Sequence, residues 1–373
     1  MSLNFRFAII SDPHVALPHT LWKQTNRFHL GEVSIPALEI ILERLSHLNV
    51  DFLLLPGDLT QHGEPDNHLW LSQRLAELPY PAYVVPGNHD VPFLESSEQA
   101  IAYAEFPRYY EKFGYDNPHQ LYYTHQLLPG VRLIGLNSNQ FNSEGKQIGA
   151  VDTEQLEWLR HVLTQYRRDR ILVMIHHNVV EHLPGQAQHP LGRRYMLSNA
   201  SHLLSVLQEF GVQLVFTGHL HVQDIAASTH GIYDITTGSL VSYPHPYRVL
   251  HFHTDALGRS WLQIESGRVE SLFGWETLAQ FSRDHLGSRS KPFMLQLLTN
   301  PPLNLPLSEA EAIAPLLQYF WADLANGDTL FDFSHLPAHI CQYLESFGAS
   351  NHQGCLELID NWVTLLLEPC IRG

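Results

Sequence analysis

Five short polar clusters hold the residues of this chain best suited to chemistry: Asp12-Pro13-His14, Gly57-Asp58, Gly87-Asn88-His89-Asp90, His176-His177 and Gly218-His219-Leu220-His221. They offer carboxylates, an amide oxygen and imidazoles, a mixed donor set that Mn, Fe, Co and Zn all accept. A carboxylate has two oxygens, so one aspartate can bridge two cations. Two metals about 3.5–4 Å apart suit in-line phosphoryl displacement. Asp12 and His14, like His219 and His221, are two residues apart, which on an extended strand end points both side chains one way. Gly57 lets the backbone turn tightly into Asp58. The Asn88 amide is a weaker ligand and suits a more labile second metal. One Asp-x-His alone means little; five clusters, each closing an apolar run, mean a great deal.

Such side chains need rigid supports. The runs Phe7-Ala8-Ile9-Ile10, Phe52-Leu53-Leu54-Leu55, Tyr83-Val84-Val85, Ile171-Leu172-Val173-Met174-Ile175 and Leu214-Val215-Phe216 read as buried strands. Helical spacing fills the intervals: Ile35, Leu38, Ile41, Leu42 and Leu45; then Leu69 to Leu78; then a helix begun by Asp152 or Thr153; then Ser201 to Phe210, stopped by Gly211. The alternation predicts a sheet with helices packed on its faces. An aromatic-rich insertion at about 92–125 is expected to be helical, and 178–197 forms a polar loop suited to a lid or substrate wall. Ile232 to Thr236, Val249 to His253 and Trp261 to Glu265 suit the edge of a second sheet. Helical segments are expected near 274–286, 308–325, 336–347 and 352–367, broken by Pro301-Pro302, Pro306 and Gly327-Asp328. These patterns place a domain boundary near 268.

The chain has 373 residues and is 44% hydrophobic, enough for one large α/β domain and a smaller accessory part. A formal charge of −16 argues against nucleic acid as a partner, because polyphosphate would be repelled. Two divalent cations would add only about +4, so a small anionic substrate fits better. Met1-Ser2-Leu3-Asn4 runs straight into a strand without a leader pattern, and no apolar stretch is long enough to span a bilayer. Cys341, Cys355 and Cys370 lack framework spacing and suit a reducing cytosol. The expectation is a cytoplasmic protein with no membrane and no nucleic-acid partner. Trp321, Phe331, Phe333 and Trp362 read as core of the C-terminal helices or as a face for homo-oligomer formation.

Taken in order, Asp12-x-His14, Gly57-Asp58-(x)4-Gly63, Gly87-Asn88-His89-Asp90, His177 and Gly218-His219-x-His221 resemble the calcineurin-like metallophosphoesterase superfamily over roughly residues 5–253. Gly57-Asp58-Leu59-Thr60, Gln155-Leu156-Glu157-Trp158-Leu159 and His176-His177 most resemble its bacterial cyclic-nucleotide and glycerophosphodiester phosphodiesterases. The resemblance implies a four-layer α/β/β/α sandwich over 1–268, the helical insertion included, with a helical accessory region at 269–373. It implies two divalent ions (Mn, Fe, Co or Zn): Asp12, His14, Asp58 and His221 on the first, Asp58, Asn88, His177 and His219 on the second, with Asp58 bridging. A metal-bridging hydroxide would attack phosphorus. His89 would protonate the leaving oxygen or stabilise the transition state, with Asp90 orienting its ring.

The implied activity is hydrolysis of a small soluble phosphodiester such as a cyclic nucleotide or glycerophosphodiester. The alternatives are a phosphomonoesterase, a nucleotide pyrophosphohydrolase, or a binding protein without catalysis. Departures narrow the group. Gln61 stands where purple acid phosphatases have tyrosine, and Asn178-Val179-Val180 replaces the usual prolines after the paired histidines. Arg193, Arg194 and His245 are candidate substrate contacts, whereas His62, His182 and His189 read as solvated.

Overall fold

The computed structural model describes residues 3–22, 27–350 and 355–368. Met1-Ser2, Cys370 and residues 352–354 of the last expected helix lie outside the described residues. Two six-stranded sheets form the centre. The first runs Trp362–Leu367, Ser260–Arg268, Pro246–Thr254, Asn4–Ile9, Phe52–Leu55, Ala82–Val84 across its width. Its last three strands are parallel, and Pro246–Thr254 runs antiparallel to Asn4–Ile9. The second runs Asp224–Ala227, Tyr233–Thr236, Leu214–Thr217, Arg170–Met174, Val131–Gly135, Tyr123–Leu128. Its four inner strands are parallel.

The inner strands are apolar throughout, as Phe52-Leu53-Leu54-Leu55 shows, because both faces of a parallel sheet are covered. Phe5, Phe7, Phe52 and Phe252 stack along the first sheet, and Phe7 meets Phe216 of the second edge-on at 5.5 Å. Ser34–Ser46 covers the first sheet with Leu38, Ile41, Leu42 and Leu45. Thr153–Gln165, capped by the Asp152 carboxylate on the Gln155 N–H, and Ala200–Glu209 cover the second. The result is a helix–sheet–sheet–helix sandwich with further helices after it.

Three elements depart from the sequence reading. The 92–125 insertion holds only short turns, Tyr103–Glu105, Phe106–Tyr109 and Glu111–Phe113, before a strand begins at Tyr123. Pro107 and Gly114 cut the helical runs, while Phe106, Tyr110, Tyr115 and Tyr123 are buried. Val249 to His253 and Trp261 to Glu265 lie in the first sheet beside Asn4–Ile9, and only Ile232 to Thr236 falls in the second. Within the last expected helix, Trp362–Leu367 is instead an edge strand paired with Ser260–Arg268. There Trp-Val-Thr favours the pleated backbone and the open strand edge supplies its hydrogen bonds.

The C-terminal helices are Leu278–Arg289, Lys291–Thr299, Leu307–Ile313, Phe320–Asn326 and Ala338–Glu345. Their core of Met294, Leu297, Leu298, Phe320, Ile340 and Leu344 also takes in Leu183, Leu220 and Val222. No helix among the described residues is long and apolar enough to cross a membrane.

Arg248 ties these parts together. Its guanidinium is fully buried and donates to the Thr236 carbonyl at 2.9 Å, the Asp224 carbonyl at 3.4 Å, Ser266 Oγ at 3.3 Å and the Asp360 carbonyl. One side chain of the first sheet thus holds the second sheet and the segment before the last strand. Arg248→Leu strands several buried acceptors and is expected to lower unfolding stability by about 3 kcal/mol, read as a shifted urea midpoint with an unchanged slope.

Candidate metal centre

All five polar clusters follow the carboxyl ends of parallel strands, the edge where open α/β sheets bind ligands. The loops remain hydrogen-bonded to one another. His14 N–H donates to Asp58 O at 2.9 Å, Val15 N–H to Leu59 O at 2.9 Å, Gly218 N–H to His176 O at 3.1 Å, and Leu240 N–H to Ser11 O at 3.1 Å. The backbone is not extended, however: φ is +48° at Asp12, +38° at His14, +50° at Asp58, +67° at His219 and +61° at His221. The period-two reading of Asp12/His14 and His219/His221 therefore does not hold. Each pair converges because left-handed residues coil the loop beyond the strand. Such conformations cost about 1–3 kcal/mol each and persist where the surroundings dictate them. A Cβ at Gly87 would overlap the Asp58 backbone and carboxylate, so only glycine allows these two loops to touch.

Asp90 is what clamps those loops. Its carboxylate accepts from Leu59 N–H at 3.0 Å, Thr60 N–H at 2.8 Å, Thr60 Oγ1 at 3.0 Å and Gly87 N–H at 2.8 Å. It does not orient the His89 ring, as the resemblance implied. The Gln61 carbonyl does that, 2.8 Å from His89 Nδ1. Donation from Nδ1–H leaves His89 Nε2 as the ring's available nitrogen.

Asp12, His14, Asp58 and His221 each bring a ligand atom to within 4.8 Å of one another. His221 Nε2 lies 3.1 Å from Asp12 Oδ1. His14 Nε2 lies 3.7 Å from Asp58 Oδ2. Both His14 ring nitrogens are buried without a hydrogen-bond partner, an arrangement that costs free energy unless another group meets them. Asp58, His176 and His219 form a second group that shares Asp58, and Asn88 Oδ1 sits 3.2 Å from His176 Nε2.

His177, expected in this second group, stands outside it. Its Nδ1 lies 2.7 Å from Ser138 Oγ and its ring packs on Gly149, although it lines the cavity. The paired histidines mark the strand end without stating which ring turns toward Asp58. The Pro56 carbonyl settles the orientation of His176: it lies 2.8 Å from Nδ1, and accepting that proton leaves Nε2 to face Asp58 and Asn88, the hydrogen-bonding habit of metal-binding histidines. His219 Nε2 is likewise held at 3.2 Å from the Arg194 carbonyl.

Electrostatics suit cations. Burial would raise the Asp58 carboxyl, but the His176 imidazole against it holds it well below the usual range; burial would likewise lower His176, and the Asp58 charge overcomes that and raises it to about 9. Burial, reinforced by the neighbouring imidazoles, lowers His14 and His219 well below the ordinary histidine value. Both rings are therefore neutral, the form that binds metal. Buried oxygens and imidazoles around a shared carboxylate fit two divalent ions, whose binding would displace the His176 proton. His29, a minor feature of the sequence, also joins His14 and His221 in a group, its ring 4.2 Å from that of His14. It sits in a loop fifteen residues beyond His14, with no motif spacing to mark it.

The centre opens into a cavity of about 1210 Å³ bounded by the 178–197 loop and the C-terminal helices. Arg193 and Arg194, on the short turn Arg193–Tyr195, are exposed at its wall, with the Arg194 guanidinium 4.7 Å over the Tyr195 ring. His245 does not line the cavity. It is buried away from the cavity with Nδ1 2.7 Å from the Leu240 carbonyl, and burial lowers it to about 4. His182 is not solvated either: its ring is buried between the Asp224 and Asp234 carboxylates.

Comparison with known proteins agrees with this geometry. The family model for calcineurin-like phosphoesterases matches residues 5–223. The chain is 25% identical over 224 residues to a "Probable cyclic nucleotide phosphodiesterase" of Vesicomyosocius okutanii, covering 59% of this chain and 79% of that protein. It is 24% identical over 270 residues to the "3',5'-cyclic adenosine monophosphate phosphodiesterase CpdA" of Escherichia coli, covering 70% and 84%. It is 28% identical over 132 residues to a "Probable glycerophosphodiester phosphodiesterase GpdQ" of Arcobacter nitrofigilis, covering 35% and 43%. In fold, it is similar to a dimetal phosphatase from Danio rerio, with a TM-score of 0.52 at 19% identity over 71% of this chain and 96% of that one.

His182 yields a pH-dependent expectation. Burial alone would lower its pKa, but the Asp234 charge and hydrogen bonds to Asp224 and Asp234 overcome that and raise it to about 10. A folded pKa above the unfolded value of about 6.5 stabilises fully below pH ~6.5 and progressively less as pH rises toward 10. The Tm gap between wild type and His182→Gln should therefore be widest near pH 6 and close toward pH 10, as thermal unfolding at three pH values would show.

Proposed function

The chain belongs to the calcineurin-like phosphoesterase family, and from that premise we propose that this hydrolase of phosphoric esters is a dinuclear metal-dependent phosphodiesterase. The observation that carries the reading is the pair of donor groups sharing Asp58, with the buried, unpartnered His14 nitrogens between loops that have no other use for them. Asp12, His14, Asp58 and His221 would hold one ion; Asp58, Asn88, His176 and His219 the other. His176 replaces His177 in this assignment on the strength of its contacts with Asp58 and Asn88. When bound, two divalent ions supply a nucleophilic hydroxide at neutral pH and neutralise charge developing on the phosphoryl oxygens.

The chain's own residues do the rest. His89, held through Nδ1 by the Gln61 carbonyl, lines the cavity, where Nε2 would donate a proton to the departing oxygen. Asp90 keeps the loop carrying His89 against the loop carrying Asp58, so acid and metal ligands move as one unit. Ser138 holds the His177 ring beside the centre, a supporting role. The names of the relatives support the diester class of substrate.

Turnover of bis(p-nitrophenyl) phosphate against p-nitrophenyl phosphate, with added Mn²⁺, tests this directly. The diester should be preferred; a marked preference for the monoester would sink the diesterase reading in favour of a phosphomonoesterase. His89→Ala should keep both metals while turnover falls by about 10²-fold. Metal analysis separates the paired histidines: His176→Ala is expected to lose one of two bound ions, and His177→Ala to keep both. The reverse pattern would return the ligand role to His177.

A further inference from the structure

The cavity beside the metal centre has two chemically different ends. Asp58, Lys146, Arg193, Arg194 and the cavity-lining histidines all come from the sandwich and its loops. The opposite wall comes from the C-terminal helices: Leu286, Phe293, Leu297, Trp321, Tyr343 and Phe347 line it, and no charged side chain of these helices does. The Ser290 hydroxyl on that wall donates its proton to the Gly287 carbonyl at 2.8 Å and keeps only acceptor capacity. Between the two ends lies Leu220, flanked in sequence by His219 and His221 and packed into the same apolar cluster as Leu297 and Phe347. Apolar surface therefore begins where the ligands end.

We propose that this wall receives the hydrocarbon chain of an amphiphilic phosphodiester whose phosphate sits at the metal centre. The proposal rests on the phosphodiesterase reading above and names its substrate class. Volume and polarity decide against a nucleoside. At about 1210 Å³ the cavity exceeds the roughly 300–1,000 Å³ that drug-sized ligands occupy. A base carries donors and acceptors around its rim, and each one buried unpaired costs about 1–3 kcal/mol. Among its side chains the wall offers only Tyr343 Oη and the Ser290 oxygen to meet them. A hydrocarbon chain has no such demand, and each buried methylene strengthens binding up to about fourfold. Trp321 contributes its indole to the wall, while its Nε1 is buried out of reach of the cavity.

The test uses the Mn²⁺-loaded full chain and p-nitrophenyl alkyl phosphodiesters with methyl, butyl and octyl groups, below their aggregation concentrations, with cyclic AMP alongside. All three diesters release the same phenolate, so chain length is the only variable. We expect kcat/KM to rise at least about tenfold from methyl to octyl, with octyl exceeding cyclic AMP. Leu286→Lys and Trp321→Ala, on separate helices, should each flatten that rise. A flat series with good turnover of the methyl ester would overturn the chain-binding wall and leave the phosphodiesterase standing. Preference for cyclic AMP over octyl would overturn it in favour of a nucleoside site. Failure to turn over any diester would remove the phosphodiesterase reading, and this proposal with it.

Discussion

Asp58 places a carboxylate of 1% exposure where the loops of both sheets meet, and a charge so deeply buried must be met by partners on every side. Three loops supply imidazoles: His14 lies 3.7 Å away, His176 lies 3.3 Å away, and His219 shares its donor group. The third cluster supplies the His89 N–H, 2.8 Å from Oδ1. For that approach Gly87 must lack a side chain, Asp90 must hold the neighbouring amides, and the backbone at Asp12, His14 and Asp58 must enter the left-handed region. The strain is local, whereas its support is the whole sandwich, because each of these loops is anchored by a strand with little freedom to shift.

Much of this was legible in the residues, for physical reasons. A buried parallel strand must be apolar on both faces, so the runs before each cluster stood out, and polar residues closing them marked the ligand-bearing edge. The ordered set of clusters then identified the family. Three kinds of information were not local enough to read. Which of His176 and His177 faces Asp58 depends on the Pro56 carbonyl, 120 residues away. The work of Asp90 depends on donors about thirty residues away, and the neighbouring sequence position suggested His89 instead. His29 has no spacing signal, since the loop that brings it to His14 is irregular. The final strand was misread because Trp362–Leu367 is as apolar as a helix face; the partner that holds it extended, Ser260–Arg268, lies about a hundred residues earlier.

The C-terminal helices are not an appendage. Leu220 lies between His219 and His221, two candidate ligands, and its side chain belongs to the helices' own core with Phe320 and Ile340. Any shift of that core pulls on the loop carrying His219 and His221. The motif loop and the cavity wall thus share a single leucine, and only the motif side carried a spacing signal in the sequence. The metal-facing residues are constrained by charge, and the wall answers only to shape and apolarity.

The strand order has a consequence for how the protein comes into being. Asn4–Ile9 carries the first two ligand residues just beyond its end, yet its antiparallel neighbour is Pro246–Thr254, which pairs with Ser260–Arg268 and through it with Trp362–Leu367. During synthesis the earliest strand must wait for some of the latest residues before its sheet can close. Pairings so distant along the chain form slowly, and unpaired apolar strands are prone to aggregate while exposed. The same connectivity leaves Asn4–Ile9 without its antiparallel neighbour until Pro246–Thr254 has been made, so shorter products carry the candidate ligands without the closed sheet that positions them.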